Sequence, residues 1–369
     1  MKRRSFFKLV GSGAAAAALF PVIGRTAALP LSQAKWRGYQ LTYQITLPSA
    51  GKTARLWLPL PDTSETVYQF TQGSNWSGKT NNSAFYMLPG TLSPVFYADW
   101  KGEGERTVKV SSIIKTADRS VDLRFYQASA KAAPIPPAFK RYLQPTNQIP
   151  LDNAVKKLAL SITSQANART PLQQARAIYD WVIDNVAYDN NLRGQGRGDL
   201  RSMLSRENFS GKCADIHTLF VGLARASGIP ARMQNGIRIN DSSLNKNLGN
   251  YGDVSTSQHC QAEFYLSGLG WVPVDPSDVA KVMALESAPH NVESISQLRE
   301  KLFGSWEMNW VAFNDGENVD LGKGCAAGKL PFFAYPHAEI DGRQQDSLTP
   351  ESFSYKITSA LLVGTGAKL

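Results

Sequence analysis

Between residues 36 and 126 apolar and polar side chains alternate with a period of two. Tyr39, Leu41, Tyr43, Ile45 and Leu47 interleave with Gln40, Thr42, Gln44 and Thr46, and Leu56, Leu58 and Leu60 repeat the pattern. Alternation of this kind places one set of side chains on each face of a pleated strand. RTVKVSSIIK and DLRFYQ are further strand-like runs, and the clusters SAGK, PDTS, QGSNWSGKTNNS and KGEGE read as turns between them. The pattern predicts an all-β, sandwich-like domain over residues 32–130.

The period then changes. Residues 131–150 carry five prolines in twenty positions and predict a linker. Val155, Leu158, Ala159 and Ile162 fall on one helical face. Thr170-Pro171-Leu172-Gln173 supplies an N-cap, a proline at the first helical position and a capping-box glutamine for a second helix. Beyond a Gly/Arg-rich loop, NLRGQGRGD, the segment GKCADIHTLF starts a third, with Ile216, Leu219, Phe220 and Leu223 as its apolar stripe and Gly228 and Pro230 as its stop. HCQAEFYL and GWVPVD are strands flanking a Ser-Gly-Leu-Gly turn. An α+β core is therefore expected over 151–285. Residues 286–369, loop-rich with scattered aromatics, are expected to form a C-terminal extension packing on that core.

At 43% hydrophobic and 19% charged, the 369 residues have the make-up of a globular protein of two or three domains. The first 28 residues differ from the rest. A basic start, a short Gly/Ala-rich apolar stretch and Thr26-Ala27-Ala28 read as a cleavable export signal, too short for a membrane span. Arg3-Arg4 followed by Ser5-Phe6-Phe7-Lys8 resembles a bacterial twin-arginine signal, which implies a periplasmic destination. Those 28 residues hold five basic groups and no acid, so cleavage lowers the formal charge from +10 to +5. No Lys/Arg run remains, which argues against a nucleic-acid partner. Three cysteines in an oxidising compartment leave at least one thiol unpaired within the chain.

Cys213 is the thiol with a physical reason to react. If Gly211-Lys212 is a turn, Cys213 lies at a helix start, where free N–H groups and the helix dipole stabilise a thiolate. A nucleophile also needs a base, and the base an orienting group. Of the four histidines, His217 lies one turn along the same helix and suits a structural role, while His290 and His337 sit in unpatterned segments. His259 shares a polar strand face with Gln261, Glu263 and Tyr265, opposite Cys260, Ala262, Phe264 and Leu266. Asp275 ends the following strand and is the candidate orienter. A three-residue turn would set Asp275 opposite Glu263 and a four-residue turn would put it on the other face, so contact with His259 needs a bulge or a longer-range arrangement. Zinc held by Cys213, His217, His259 and Cys260 is disfavoured, because His259 and Cys260 point to opposite faces. A Cys260–Cys325 disulfide is the alternative to Cys260 filling the apolar face.

The blocks SGKCADIHTLFVGLARASGIPAR and SQHCQAEFYLSGLGWVPVDPSD, with YDWVIDNVAYD upstream, resemble the core of the bacterial transglutaminase-like superfamily over roughly residues 170–280. The resemblance implies a papain-like α+β fold, a helix bearing the cysteine packed on an antiparallel sheet, with Cys213 as nucleophile, His259 as base and Asp275 as orienter. It departs from the family at Gln261, where many members carry an aromatic residue. It implies no cofactor, no metal in the site, and a peptide or protein substrate, with cell-envelope components among those compatible. Hydrolysis of a peptide or amide bond through a thioester ranks first, because water is the default acceptor. Transfer of the acyl group to an amine is the alternative reaction, and a non-catalytic peptide- or glycan-binding module is the alternative of another class.

Overall fold

The structure, a computed structural model, describes residues 35–362 other than 64–66, 90, 92, 125, 127–133, 206–208, 350 and 351. The export-signal expectation lies outside the described residues. The fold is α+β, with a mixed helical and antiparallel-sheet core beside a β-rich N-terminal region.

The sandwich strands from the N-terminal region are β1 (Arg37–Leu47), β2 (Thr53–Pro59), β3 (Gln69–Gly78), β4 (Asn82–Met87), β5 (Pro94–Lys101) and β6 (Arg106–Thr116). The alternation in β1 works as its pattern foretells. Tyr39, Leu41, Tyr43, Ile45 and Leu47 are all buried, facing Leu56, Leu58, Phe96 and Ala98 in the apolar layer. The run QGSNWSG differs from expectation, being strand β3 rather than a turn. It pairs along β6 at the edge of its sheet with side chains mostly open to solvent, so it carries no apolar alternation. DLRFYQ also differs. Among its described residues none is in a strand, and Leu123 and Tyr126 pack instead against the helical core.

The core follows in chain order as α1 (Asn153–Gln165), α2 (Pro171–Asn185), α3 (Leu200–Ser205), α4 (Cys213–Ala226), β7 (Ala231–Arg238), β8 (Gln258–Leu266), β9 (Gly270–Val274), α5 (Pro276–Glu286), α6 (Glu293–Lys301) and β10 (Trp310–Asn314). The capping box at Thr170 and Gln173 forms, and the left-handed Gly228 lies just beyond the end of α4. Helix α4 is buried along nearly its whole length between α1, α2 and the antiparallel sheet β9-β8-β7-β10. This burial all round explains why its sequence is apolar beyond a single stripe.

The C-terminal stretch corrects the expected division of the chain. Residues 286–369 are no single extension on the core. Helix α6 and β10 belong to the core, whereas β11 (His337–Ile340) and β12 (Ser354–Leu361) return to the sandwich. Strand β12 pairs with β1, and β11 pairs with β2. The two sheets thus run β12-β1-β6-β3 and β11-β2-β5-β4, extended by Gly252–Asp253 and Arg343–Gln344. Ile237, Val311 and Phe313 of the core sheet join the apolar layer of the sandwich, so the two regions share one interior. Buried Gln69 joins them by hydrogen bonds as well: its amide accepts from Ala312 N at 2.8 Å and donates to Ala312 O at 3.0 Å.

Candidate active site

Cys213 is the first residue of α4, and Lys212 is its N-cap. Asp215 fixes this start: its carboxylate accepts from Lys212 N at 3.0 Å, Arg197 N at 3.0 Å and Gly198 N at 2.9 Å. The glycines around it are required by close approach. A Cβ on Gly211 would come within 2.4 Å of Asp215 Cβ, and one on Gly196, whose φ is +94°, within 1.9 Å of Asp215 Oδ2. The Gly/Arg-rich loop is therefore wrapped round the helix N-terminus. Gln195 O accepts from Ala214 N at 2.9 Å and from the Cys213 thiol at 3.9 Å. With its amide oxygen turned toward β8, the Gln195 side chain accepts from His259 N at 2.9 Å and Cys260 N at 3.2 Å.

The turn between β8 and β9 is Ser267–Leu269, closing on Leu266 and Gly270. Glu263 consequently lies opposite Pro273, not Asp275. Asp275 follows the last pair, Ala262 with Val274, and comes level with Gln261, two residues closer to His259 than expected. No bulge is needed, because the side chain leaves the sheet as the N-cap of α5, accepting from Asp278 N at 2.9 Å. From there the fully buried carboxylate reaches His259 Nε2 at 2.8 Å through Oδ2 and His217 Nε2 at 3.1 Å through Oδ1, and accepts from Gln261 Nε2 at 3.3 Å.

The structure thus brings Cys213, His259 and Asp275 together. Cys213 packs against Cys260 at the start of β8 and lies close enough to the His259 imidazole to interact with it, although strand alternation separates those two neighbours. With Nε2 of His259 on Asp275, Nδ1 is the ring nitrogen left for the sulfur. His217 is completely buried behind this set, joined to Asp275 and, through Nδ1, to Cys260 Sγ at 3.4 Å. It lies one turn along α4 from Cys213 and is held against the same carboxylate as His259. Cys260 and Cys325 are both free thiols far apart in the fold, Cys260 in the core and Cys325 against the sandwich, so no disulfide joins them.

Burial pushes the Cys213 thiol up, but hydrogen bonds from Cys260 and His259 and the charges of His259 and His217 outweigh it and hold the thiol well below its ordinary value. Burial and Arg238 push His259 down, while Asp278 and Asp275 more than offset them and raise its imidazole to about 9. Burial would raise Asp275, yet the two histidines keep it well below the usual carboxylate range. Burial, together with the adjoining Cys213 sulfur, keeps Cys260 a thiol. The arrangement favours a thiolate–imidazolium pair resting on an ionised carboxylate.

Sequence reasoning missed a second carboxylate. Asp278, on the first turn of α5, lies 3.5 Å from His259 Nε2, and both its oxygens accept from Nη2 of buried Arg238 of β7, at 2.6 and 2.5 Å. Its signal was the short spacing in Asp275-Pro-Ser-Asp278, legible only once a helix is placed after Pro276. Trp310 Nε1 donates to His259 O at 2.9 Å and Trp306 Nε1 to Val274 O at 3.2 Å, so the scattered aromatics of the last third brace the site. Polar face-mates of His259 have their own partners. Burial pushes Glu263 up, but Arg119 and Arg232 hold it down at about 2.

A cleft of about 580 Å³ is lined by Lys212 and Gln258, the chain neighbours of Cys213 and His259, and by Arg193, Asp253, Tyr335 and Lys356 among others. It lies between the Cys-bearing core and the C-terminal strand of the sandwich.

The model of the transglutaminase-like superfamily matches residues 156–276. An uncharacterised protein of Haemophilus influenzae is 34% identical over 344 residues, which cover 87% of this chain and 90% of that protein. A crystal structure of a candidate cysteine protease from Cytophaga hutchinsonii superposes with a TM-score of 0.57 at 15% identity, over 90% of this chain and 93% of the other. At that identity the likeness is one of fold. The periplasmic domain of TgpA from Pseudomonas aeruginosa is further off, with a TM-score of 0.32 at 15% identity over 72% of this chain and 94% of its own.

Proposed function

Because the chain belongs to the transglutaminase-like superfamily, we propose that it is a cysteine hydrolase of peptide or amide bonds. Cys213 is the nucleophile, His259 the acid and base, and Asp275 the group that orients the imidazole. The observation that carries this reading is the meeting of Cys213, His259 and Asp275 in one buried cluster, with the 2.8 Å His259–Asp275 bond fixing the ring and the chain neighbours Lys212 and Gln258 in the wall of the cleft.

The Cys213 thiolate adds to the carbonyl carbon of the scissile amide, and the carbonyl π electrons move onto oxygen. The Cys213 N–H at the helix start is the backbone donor this reading assigns to that oxyanion, since Ala214 N is already taken by Gln195 O and Lys212 N by Asp215. The His259 imidazolium passes its proton to the leaving nitrogen as the C–N bond breaks, leaving a thioester. Water then adds to the thioester carbonyl, giving its proton to neutral His259, and the thiolate leaves as the acid is released. Water is the acceptor in this reading because it is the default one for a thioester, whereas transfer to an amine needs a site that holds the amine and excludes water.

The mature protein incubated with a glutamine-containing peptide and a labelled amine tests the reading. Release of ammonia or a shortened peptide, lost in Cys213→Ala, is the expected result. Amine incorporation in place of hydrolysis would assign transamidation, and cleft binding with no reaction would assign a binding module. We also propose export by the twin-arginine route to the periplasm, supported by the leader sequence. Replacing Arg3 and Arg4 together by lysine should leave the precursor in the cytoplasm, and unchanged export would contradict that route.

A further inference from the structure

We propose that Cys325, His337 and Glu339 form a zinc-binding site on the sandwich, separate from the cluster of Cys213, His259 and Asp275. Strand alternation puts His337 and Glu339 on the same face of β11, and the loop before that strand lays Cys325 over them. Cys325 Sγ lies 3.6 Å from His337 Nε2 and 3.3 Å from Glu339 Oε1, and those two atoms are 3.5 Å apart. A tetrahedral zinc ion with ordinary bond lengths of about 2.0–2.3 Å spaces its S, N and O ligands about 3.3–3.6 Å apart. The centre of this triangle is about 2.0 Å from all three atoms, so an ion lifted slightly out of its plane meets each at bonding distance.

The surroundings support the triangle. His337 and Glu339 are buried and Cys325 is half-exposed, which leaves a fourth position open toward solvent. Glu339 is held in place from its far side: Oε2 pairs with Arg55 Nη2 at 2.9 Å, and Oε1 accepts from Ala326 N at 2.7 Å and Ala327 N at 3.3 Å. Arg55 Nη1 also donates to Gly324 O at 2.5 Å, so the arginine fixes both the carboxylate and the loop carrying the thiol. Outer partners of this kind orient metal ligands. One thiolate, one imidazole and one carboxylate are a donor set suited to zinc and poorly suited to magnesium or calcium. The bound ion would pin the segment 319–333, whose Val319, Leu321 and Phe333 cover Trp57 and Val95 on the outer face of the second sheet.

The test uses the mature, full-length protein stripped with a chelator and titrated with Zn²⁺ by calorimetry. One zinc per chain is expected, retained in Cys213→Ala. Cys325→Ser and His337→Gln should each weaken it about 100-fold or more, because even an outer-shell partner is worth about 10–100-fold. Co²⁺ in place of zinc should give a thiolate-to-metal charge-transfer band that Cys325→Ser abolishes. If either variant fails to fold, the wild-type protein still decides, since Zn²⁺ should slow alkylation of Cys325 mapped by mass spectrometry. No zinc uptake, unchanged Cys325 alkylation, or binding that survives Cys325→Ser but is lost in Cys213→Ala would overturn the site.

Discussion

Two clusters in this molecule contain a thiol, an imidazole and a carboxylate, and they are built to opposite ends. At Cys213, His259 and Asp275 the sulfur sits on the first residue of a helix and the imidazole is raised to about 9 by two carboxylates, although burial and Arg238 oppose it. At Cys325, His337 and Glu339 no helix N-terminus faces the sulfur. In the metal-free state burial and the Glu339 carboxylate push that thiol up to about 11, and burial pushes His337 down. The first cluster separates charge without help, whereas the second needs a cation before its sulfur ionises. Residue types alone do not make a nucleophile; their placement relative to backbone N–H groups and fixed charges does.

The sharpest way to break the comparison is to remove each sulfur. Cys213→Ala should abolish hydrolysis, on the order of 10⁶-fold in kcat by analogy with other nucleophile deletions, with no change in far-ultraviolet circular dichroism. Cys325→Ser should leave kcat within about twofold, and residual turnover in the first variant with loss in the second would reverse the assignment. Asp275→Asn should lower kcat by about 10⁴-fold by misorienting the imidazole. It should also lower stability, since the carboxylate caps α5 and holds His217.

Asp278→Asn sharpens the electrostatic side. The His259 value of about 9 lies above its ordinary 6.5, so the stability it contributes is complete below about 6.5 and lost as pH rises through about 9. Proton donation to the leaving group follows the same titration, so kcat/KM should fall as pH rises through about 9. Removing the Asp278 charge should move that fall to lower pH, because Asp278 raises the imidazole. Stranding buried Arg238 should also cost about 3–5 kcal/mol in chemical denaturation. An alkaline limb that stays in place would show that Asp275 alone sets the imidazole.

The smallest expected effect is thermal. Zinc at about 100 times its dissociation constant should stabilise the wild-type protein by about 2.7 kcal/mol and Cys325→Ser by about 0.4 kcal/mol or less. Equal melting shifts in the two proteins would break the contrast between the clusters.

What the chain made legible was local. The period-two run of β1, the capping box of α2 and the helix start at Cys213 depend on neighbours in sequence, and all three stand in the structure. Strand β3 was illegible because an edge strand with both faces largely open needs no apolar alternation. The return of β11 and β12 to the sandwich was illegible because their partners, β2 and β1, lie roughly 300 residues upstream. His259 and Asp275 could be named from strand faces and a strand end, but their contact depended on where the turn closes and on the side chain leaving the sheet as a helix cap. Arg238 and Asp278 lie 40 residues apart, and Cys325 meets His337 and Glu339 only through the course of the loop between them, so neither set leaves a local pattern.

The central claim is that His259 holds Cys213 as a thiolate, and the rate of Cys213 alkylation by iodoacetamide across pH, followed by mass mapping in the mature protein, tests it most directly. The wild-type rate should already be on its thiolate plateau well below the ordinary thiol value of about 8.5, and in His259→Ala the rise should move up to that value or beyond. A wild-type rate that climbs only near pH 8.5 and is unmoved by His259→Ala would contradict the account.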